Sequence, residues 1–364
     1  DVYKRQVLSH CPALVMLSFK GNQLSEFAEA SLPQQLEWLI LTDNQLTELP
    51  KDFGRYTKLR KVALAGNQLS ALPDSMQQCR DLGLLRLALN KFESFPDWLF
   101  ELPKLAWLAL GANPACPVPE AQAITAHRLS DYQLLQKLGE GASGVIYQAR
   151  FAQDAELVAL KQFKGWVTSD GCPQDEMNNY LNAGEHPNLI AVKARLKDCD
   201  LPGLVMELVP ASFSVLGQPP SFDTCTRDTF TQGQSLTLAQ LKQLAEQVAR
   251  VMAHLHQKRI CHGDLYAHNM LVNAGQQLYL GDFGAATALK SLPQQQQQLF
   301  CKLEVRAFAY WLLDMQSLLS AHEAAVFEKH YAAILQSCMQ SEPGNRPDFD
   351  ELQSLLSLSS ARKD

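Results

Sequence analysis

One spacing constrains this chain more than any other feature. Asparagines stand at positions 22, 44, 67, 90 and 113, at intervals of 22, 23, 23 and 23 residues. Each sits in a variant of L-x-x-L-x-L-x-x-N-x-L, and the register runs from Leu14 to about Cys116. Three units close on an apolar-Pro step: Leu49-Pro50, Leu72-Pro73 and Phe95-Pro96. A fixed period of this length means stacked units, because one unit cannot bury its own apolar face. Leu36, Leu39, Leu41, Leu46 and Leu49 of a single unit are all expected to point inward. The asparagines carry both donors and an acceptor, so their expected role is to bridge the backbones of successive turns.

The repeat resembles the leucine-rich repeat over residues 8–116. That resemblance implies an α/β solenoid whose concave strand face carries the function. The third motif position holds Met16, Trp38, Lys61, Leu84 and Trp107, and the fifth holds Ser18, Ile40, Ala63, Arg86 and Ala109. Trp38, Lys61, Arg86 and Trp107 are the candidates for gripping a protein partner or substrate. The two tryptophans are expected to face solvent as anchors for it. Pro117-Val-Pro-Glu120 breaks the period, so the expected division is repeats at 1–116, a short linker at 117–130 and a second domain at 131–364.

Charge narrows the choice of partner. Residues 1–128 hold 13 basic and 13 acidic residues, so the whole formal charge of −6 belongs to the remainder. Neither half has the basic field that nucleic-acid binding requires. The nine cysteines are scattered with no C-x-x-C pair. This points away from a disulfide framework or zinc site and toward a reducing, cytoplasmic setting. No run approaches the length of a membrane span. The opening DVYKRQ carries no signal-peptide pattern.

The second half is organised around anion chemistry. Gly139, Gly141 and Gly144 form G-x-G-x-x-G, and the following Val145-Ile-Tyr-Gln-Ala149 alternates like a strand, not a helix. A glycine-tipped hairpin lets backbone approach phosphates closely. Val158-Ala-Leu-Lys161 is a second apolar strand, and its lysine needs an anionic partner. Farther on, Cys261-His-Gly-Asp-Leu-Tyr-Ala-His-Asn269 precedes Gly281-Asp-Phe-Gly284, with a hairpin turn expected near Asn273-Ala-Gly275. The arrangement can bring Asp264, Asn269 and Asp282 together. Asp282 and Asn269 suit a hard divalent cation, and Asp264 is left to take a proton from an acceptor hydroxyl. Leu238 to Leu255 has helical apolar spacing.

In this order the motifs resemble a eukaryotic-type protein kinase over about residues 131–356. The resemblance implies a two-lobed α+β fold, with an N-lobe at about 131–207 and a C-lobe at about 210–358. It also implies ATP with Mg²⁺, or Mn²⁺ in its place. The glycine loop with Leu138 would cover the phosphates, and Lys161 would hold the α/β-phosphates. Asp264 would be the base, while Asn269 and Asp282 would bind metal. Ile146, Ala159 and Leu271 would enclose the adenine, Met206 would be the gatekeeper, and the backbones of Glu207 and Val209 would meet the adenine edge. Glu176 is the expected partner of Lys161, with Glu185 as runner-up. His262 is expected to support the loop, and His268 to face solvent. His254 and His256 lack an evident third metal ligand.

Three features depart from the family pattern. Gly263 replaces the usual arginine before the catalytic aspartate. Tyr266 stands where a phosphate-contacting lysine is usual. No A-P-E follows Asp282 before Glu304, which leaves Arg346 without its usual acid; a different nearby acid is the expected substitute. The Gln294–Gln298 run reads as a loop. Three functions stay open on this reading: an active protein kinase acting on Ser/Thr hydroxyls; a pseudokinase or ATP-binding scaffold; and a small-molecule hydroxyl kinase of the aminoglycoside or choline phosphotransferase type.

Overall fold

A computed structural model describes residues 7–26, 31–121, 123–141, 143–165, 167–168 and 170–361. The opening hexapeptide read above lies outside these residues. Five three-residue strands, β1 (Met16–Ser18), β2 (Trp38–Ile40), β3 (Lys61–Ala63), β4 (Leu84–Arg86) and β5 (Trp107–Ala109), form one parallel sheet in chain order. They coincide with the third to fifth motif positions. Trp38 pairs with Lys61, Lys61 with Leu84, and Leu84 with Trp107. Equivalent residues therefore stack. The middle residues Leu39, Val62, Leu85 and Leu108 point to the other side and are fully buried, as the period-two alternation of strands requires.

The asparagines fasten one turn to the next. Asn67 Nδ2 donates to Leu41 O and Leu64 O, both at 2.9 Å, and its Oδ1 accepts from Leu46 N at 3.0 Å. Asn90 repeats the pattern with Leu64 O, Leu87 O and Leu69 N. Asn113 repeats it with Leu87 O, Leu110 O and Phe92 N. Each asparagine satisfies buried backbone groups that neighbouring turns would otherwise leave unpaired.

The second part has a six-stranded sheet built from β6 (Ala126–Arg128), β7 (Tyr132–Glu140), β8 (Gly144–Phe151), β9 (Leu157–Phe163), β10 (Val192–Lys197) and β11 (Gly203–Glu207). The order is β6-β10-β11-β9-β8-β7. Helix α1 (Pro173–Ala183) lies between β9 and β10 in sequence. The larger lobe is mainly helical: α2 (Leu238–Gln257), α3 (Gln294–Gln316), α4 (Ala321–Cys338) and α5 (Phe349–Ala361). Its short strands are β12 (Ser214–Val215), β13 (Ile260–Cys261), β14 (Met270–Val272), β15 (Leu278–Leu280) and β16 (Thr287–Ala288). Together these make a kinase-like, two-lobed fold. A capping box starts α2, with Thr237 accepting from Gln240 N at 3.3 Å while the Gln240 side chain accepts from Thr237 N at 2.8 Å. Its face Leu241, Leu244, Val248, Met252 and Leu255 is fully buried. Among the described residues no helix is long and apolar enough to cross a membrane.

The structure corrects four expectations. The supposed linker is partly structural, because Ala126–Arg128 pairs in parallel with β10 as an edge strand. Gln294–Gln298 is not a loop but the first turns of α3. Gln296 is buried there and donates to Phe95 O at 3.0 Å and Asp97 Oδ1 at 2.8 Å. Repeat contacts thus decide a conformation that composition could not. Among the described residues Arg346 pairs with no acid; it donates to three carbonyls, Gln340 O, Lys302 O and Pro103 O. Finally, the concave end is not open to solvent: Trp107 is 1% exposed and Arg86 3%. The two parts share a core in which Leu85, Phe100, Leu108 and Leu110 pack with Leu289, Leu292, Phe300 and Leu303.

Candidate active site

The cleft begins at the β7–β8 hairpin. A Cβ built on Gly139 or Gly141 would meet nothing within 4 Å, so this arch is open. Gly144 differs: a Cβ there would lie 2.5 Å from Gln162 O, so only glycine allows β8 to approach β9. On β9, Lys161 sits opposite Ile146 and Leu204. Its ammonium pairs with the Glu176 carboxylate on α1, and both side chains are nearly buried. Glu185 lies past the end of α1 and is not the partner given by this geometry. Burial disfavours the Lys161 charge, but Glu176 and Asp282 outweigh it and hold the ammonium above its ordinary pKa.

Apolar walls flank this pair. Ala159 and Met206 are buried, with Ile146 packed on the same core. Leu271 and Val209 are half-buried, and Leu138 is exposed on the hairpin. The Glu207 N–H is already donated to Ala191 O at 2.8 Å and so is not open to a ligand.

Below the cleft, β13 runs into the loop that carries Asp264 and Asn269, and the β14–β15 hairpin returns the chain to Asp282. Asn269 Nδ2 donates to Asp264 O at 2.9 Å and to Asp264 Oδ2 at 2.8 Å. That leaves its amide oxygen as the outward end. His262 shares a hydrogen bond with Gly281 O at 2.9 Å, and its Nδ1 accepts from Asp264 N at 3.3 Å. This fixes one loop against the other. Asp282 adopts a left-handed φ of +53° and accepts from Gly284 N at 3.1 Å. Phe283 is fully buried, its ring 4.5 Å from Tyr180 of α1 and 5.2 Å from His262. The aspartate is thereby turned to the cleft side. His268 does not face solvent as expected: its ring pairs with Asp228 at 2.6 Å, and Asp228 also accepts from Ala267 N.

What sequence reasoning missed is that Arg86 and Trp107, read as partner-face residues, lie against the loop that carries Asp264. Arg86 pairs with Asp264 Oδ1, donates to Gly263 O at 2.8 Å, and pairs with Asp170 at 2.6 Å. Burial, the largest influence, raises the Asp264 pKa; Arg86, His268, His262 and the Asn269 hydrogen bond together outweigh it and hold it below the usual carboxylate value. Trp107 donates from its indole to Leu265 O at 3.2 Å and stacks between Tyr266 at 4.6 Å and Tyr310 at 5.3 Å. Gly263 has φ +75°, and a Cβ on it would lie 2.8 Å from Leu108 O and 2.5 Å from Ala285 O. An arginine does not fit there. The signal for all of this was available as two departures, Gly263 and Tyr266, and both are the footprint of the repeat strands.

Beneath the same loop, Glu304 accepts from Gly263 N at 2.6 Å and pairs with His256 at 2.7 Å. His256, Cys261 and Cys301 also bring their donor atoms within 4.8 Å of one another. The cysteines are scattered only in sequence, and the fold supplies the neighbours that His256 lacked on its own segment.

Residues 132–307 match the family model described as the protein kinase domain. A serine/threonine-protein kinase, PITSLRE, of Drosophila melanogaster is 30% identical over 183 residues, covering 49% of this chain and 18% of the relative. Cyclin-dependent kinase 11.1 of Caenorhabditis elegans is 30% identical over 163 residues, covering 43% and 21%. Cyclin-dependent kinase 11A of Homo sapiens is 31% identical over 163 residues, covering 43% and 19%. The chain thus spans about a fifth of the length of these relatives. Residues 132–307 are therefore similar to protein kinase domains, and the relatives named here are serine/threonine or cyclin-dependent kinases.

Proposed function

We propose that this chain is an active, ATP- and Mg²⁺-dependent protein kinase that phosphorylates Ser/Thr hydroxyls, with a leucine-rich-repeat solenoid packed on its catalytic loop. The observation that carries the reading is the complete polar set in one cleft: the Lys161–Glu176 pair, Asp264 tied to Asn269, and the exposed Asp282, whose charge acts on Lys161. A protein that only bound a partner would need none of these.

The residues fit the cofactor by chemistry. The open glycine arch and Lys161 suit a polyphosphate, while the Asp282 carboxylate and the Asn269 amide oxygen are hard donors for Mg²⁺ or Mn²⁺. ATP bound with the metal supplies a γ-phosphoryl group whose charge the metal and Lys161 offset. Asp264 orients the acceptor hydroxyl and accepts its proton. The acceptor oxygen forms the new bond to phosphorus, the bond to the β,γ-bridging oxygen breaks, and ADP leaves with that electron pair. Ile146, Ala159, Met206 and Leu271 enclose the base and exclude water. The 22- to 23-residue period, the parallel three-residue strands and the asparagine ladder support the solenoid reading. The absence of a disulfide and of a spanning helix among the described residues is consistent with a cytoplasmic site of action.

The test is labelled ATP with Mg²⁺ and the full chain, alone, with generic proteins and with a panel of small hydroxyl compounds. Label on protein Ser/Thr is the expected result. Lys161→Met and Asp282→Ala should each lower transfer by roughly a thousandfold or more, because this chemistry rests on positioning and charge. Nucleotide binding without transfer would point to a pseudokinase, and label confined to small molecules would point to a small-molecule kinase. Either would overturn the proposal.

A further inference from the structure

We infer that Arg86, carried on repeat strand β4, is a positioning residue for phosphoryl transfer, supplying in cis the cation that positions 263 and 266 of the catalytic loop lack. The inference rests on the kinase reading above and adds a role for the repeat region that is internal to the reaction. It is not partner recruitment.

Three observations converge on it. First, every nitrogen of the Arg86 guanidinium is committed within the site. Nε goes to Asp170, Nη1 to Gly263 O and Nη2 to Asp264 Oδ1. A planar fork held at three points fixes direction as well as charge, which a lysine would not do. Second, Asp170 belongs to the segment leading into α1, the helix that carries Glu176. Arg86 therefore links the Lys161–Glu176 side of the cleft to the Asp264 side. The two lobes are tied through a residue that belongs to neither. Third, the loop has been shaped to admit it. The usual arginine is replaced by a glycine whose Cβ would collide with Leu108 O of β5, and the usual lysine by Tyr266, which stacks on Trp107. The loop has given up both cations at positions where the repeat strands pack, and one arginine from those strands takes up their charge.

The arrangement leaves room for the acceptor. A carboxylate offers about four lone-pair sites. Arg86 occupies one on Oδ1 and Asn269 one on Oδ2, so each oxygen keeps a site for the incoming hydroxyl. The carboxylate is held in one orientation without being consumed.

The experiment uses the full chain and compares wild type with Arg86→Lys, Arg86→Gln, Arg86→Ala and Asp170→Asn. It measures kcat and the KM for MgATP, nucleotide affinity, and the midpoint of thermal unfolding. Arg86→Gln and Arg86→Ala should lower kcat by about a hundredfold or more, the usual size for a lost preorganised donor, while KM for MgATP moves less than about threefold. Arg86→Lys should recover part of the rate, and Asp170→Asn should lose about tenfold because only the tie to α1 is cut. Guanidinium chloride, at tens of millimolar, should restore part of the Arg86→Ala rate. A structural arginine would predict no such rescue, and a loss of kcat that follows only the fall in unfolding midpoint would overturn the inference. An unchanged kcat would also overturn it, and so would a raised one, which would make the contact inhibitory. Wild type that transfers no phosphate would overturn the kinase reading together with the inference. An active wild type with fully active Arg86 variants would overturn the inference alone.

Discussion

The two ends of the repeat sheet are built from the same motif and do different work. Trp38 and Trp107 occupy the same motif position on β2 and β5. Trp107 is 1% exposed, sandwiched by two tyrosines and bonded to the catalytic loop. Trp38 is half-buried, covered by the Lys61 ammonium 4.3 Å from its ring and by Phe222, itself 78% exposed, at 6.0 Å. The fifth positions divide likewise: Ser18 on β1 is exposed, and Arg86 on β4 is buried in ion pairs. A repeat fixes where a side chain points but not what it meets. What it meets depends on what the second half of the chain places there: the catalytic loop at the last two units, and Phe222 over Trp38 at the second. The second and third units keep a partly open surface at Trp38 and Lys61.

Substitutions at the docked end should break this asymmetry most severely. Gly263→Arg restores the residue usual in kinases, yet it should be the most damaging change. It forces a side chain into φ +75° and against Leu108 O and Ala285 O, at a cost of roughly 4 kcal/mol or more. Chemical denaturation reads it; a stable, active variant would show that β5 does not press on the loop. Trp107→Ala should cost about 3–5 kcal/mol as a buried aromatic deletion. Trp38→Ala at the matching position should cost no more than about 1 kcal/mol. Equal losses from the two would erase the distinction between the ends.

The asparagine ladder sharpens the contrast at smaller amplitude. Asn67→Ala leaves the buried Leu46 N without its partner, while Leu41 O and Leu64 O keep Asn44 and Asn90, and should cost about 1–3 kcal/mol. Asn22, exposed and bonded through its side-chain amide to Lys20 O, should tolerate alanine within about 0.5 kcal/mol. The smallest effect is a pH dependence of the docked end, whose helix α3 carries Phe300, Cys301 and Glu304. Burial opposes the His256 charge, but Cys301 and Glu304 push its pKa from 6.5 up to about 10. A folded pKa above the unfolded one means the stabilisation is complete below about 6.5 and is lost as pH rises toward 10. Cys301, held down from 9.0 to about 5 by Cys261 and His256, gains stability over the same rise in pH and offsets this. Denaturation midpoints between about pH 6.5 and 9 should therefore stay nearly flat in wild type and rise in His256→Gln. Parallel slopes would remove His256 from the account.

How much was legible follows from range. The strand positions, the inward leucines and the asparagine bridges repeat with a local period, so the pattern states its own geometry. Lys161, Asp264, Asn269 and Asp282 were legible because each lies in a short motif of fixed chemistry. Glu176 was harder, one residue off the usual spacing, and only α1 packed on β9 gives it to Lys161. The glutamine run was read as loop because composition alone cannot see Phe95 O and Asp97, which hold Gln296 in a helix from about 200 positions away in sequence. The Arg346 contacts were out of reach for the same reason, since its partners are carbonyls, which every residue has.

The sequence by itself determined the two modules, their strand and helix periods and the chemistry of the cleft, because hydrophobic spacing and turn-forming residues act over a few positions. Tertiary structure alone decided that the modules meet, and where. Arg86 and Asp264 are 178 residues apart in sequence, and nothing local marks them as partners. A missing arginine and a misplaced tyrosine looked like defects in the catalytic loop. They are instead where backbone and aromatic rings from β5 fill the space, and a close-packed interface admits no second occupant there.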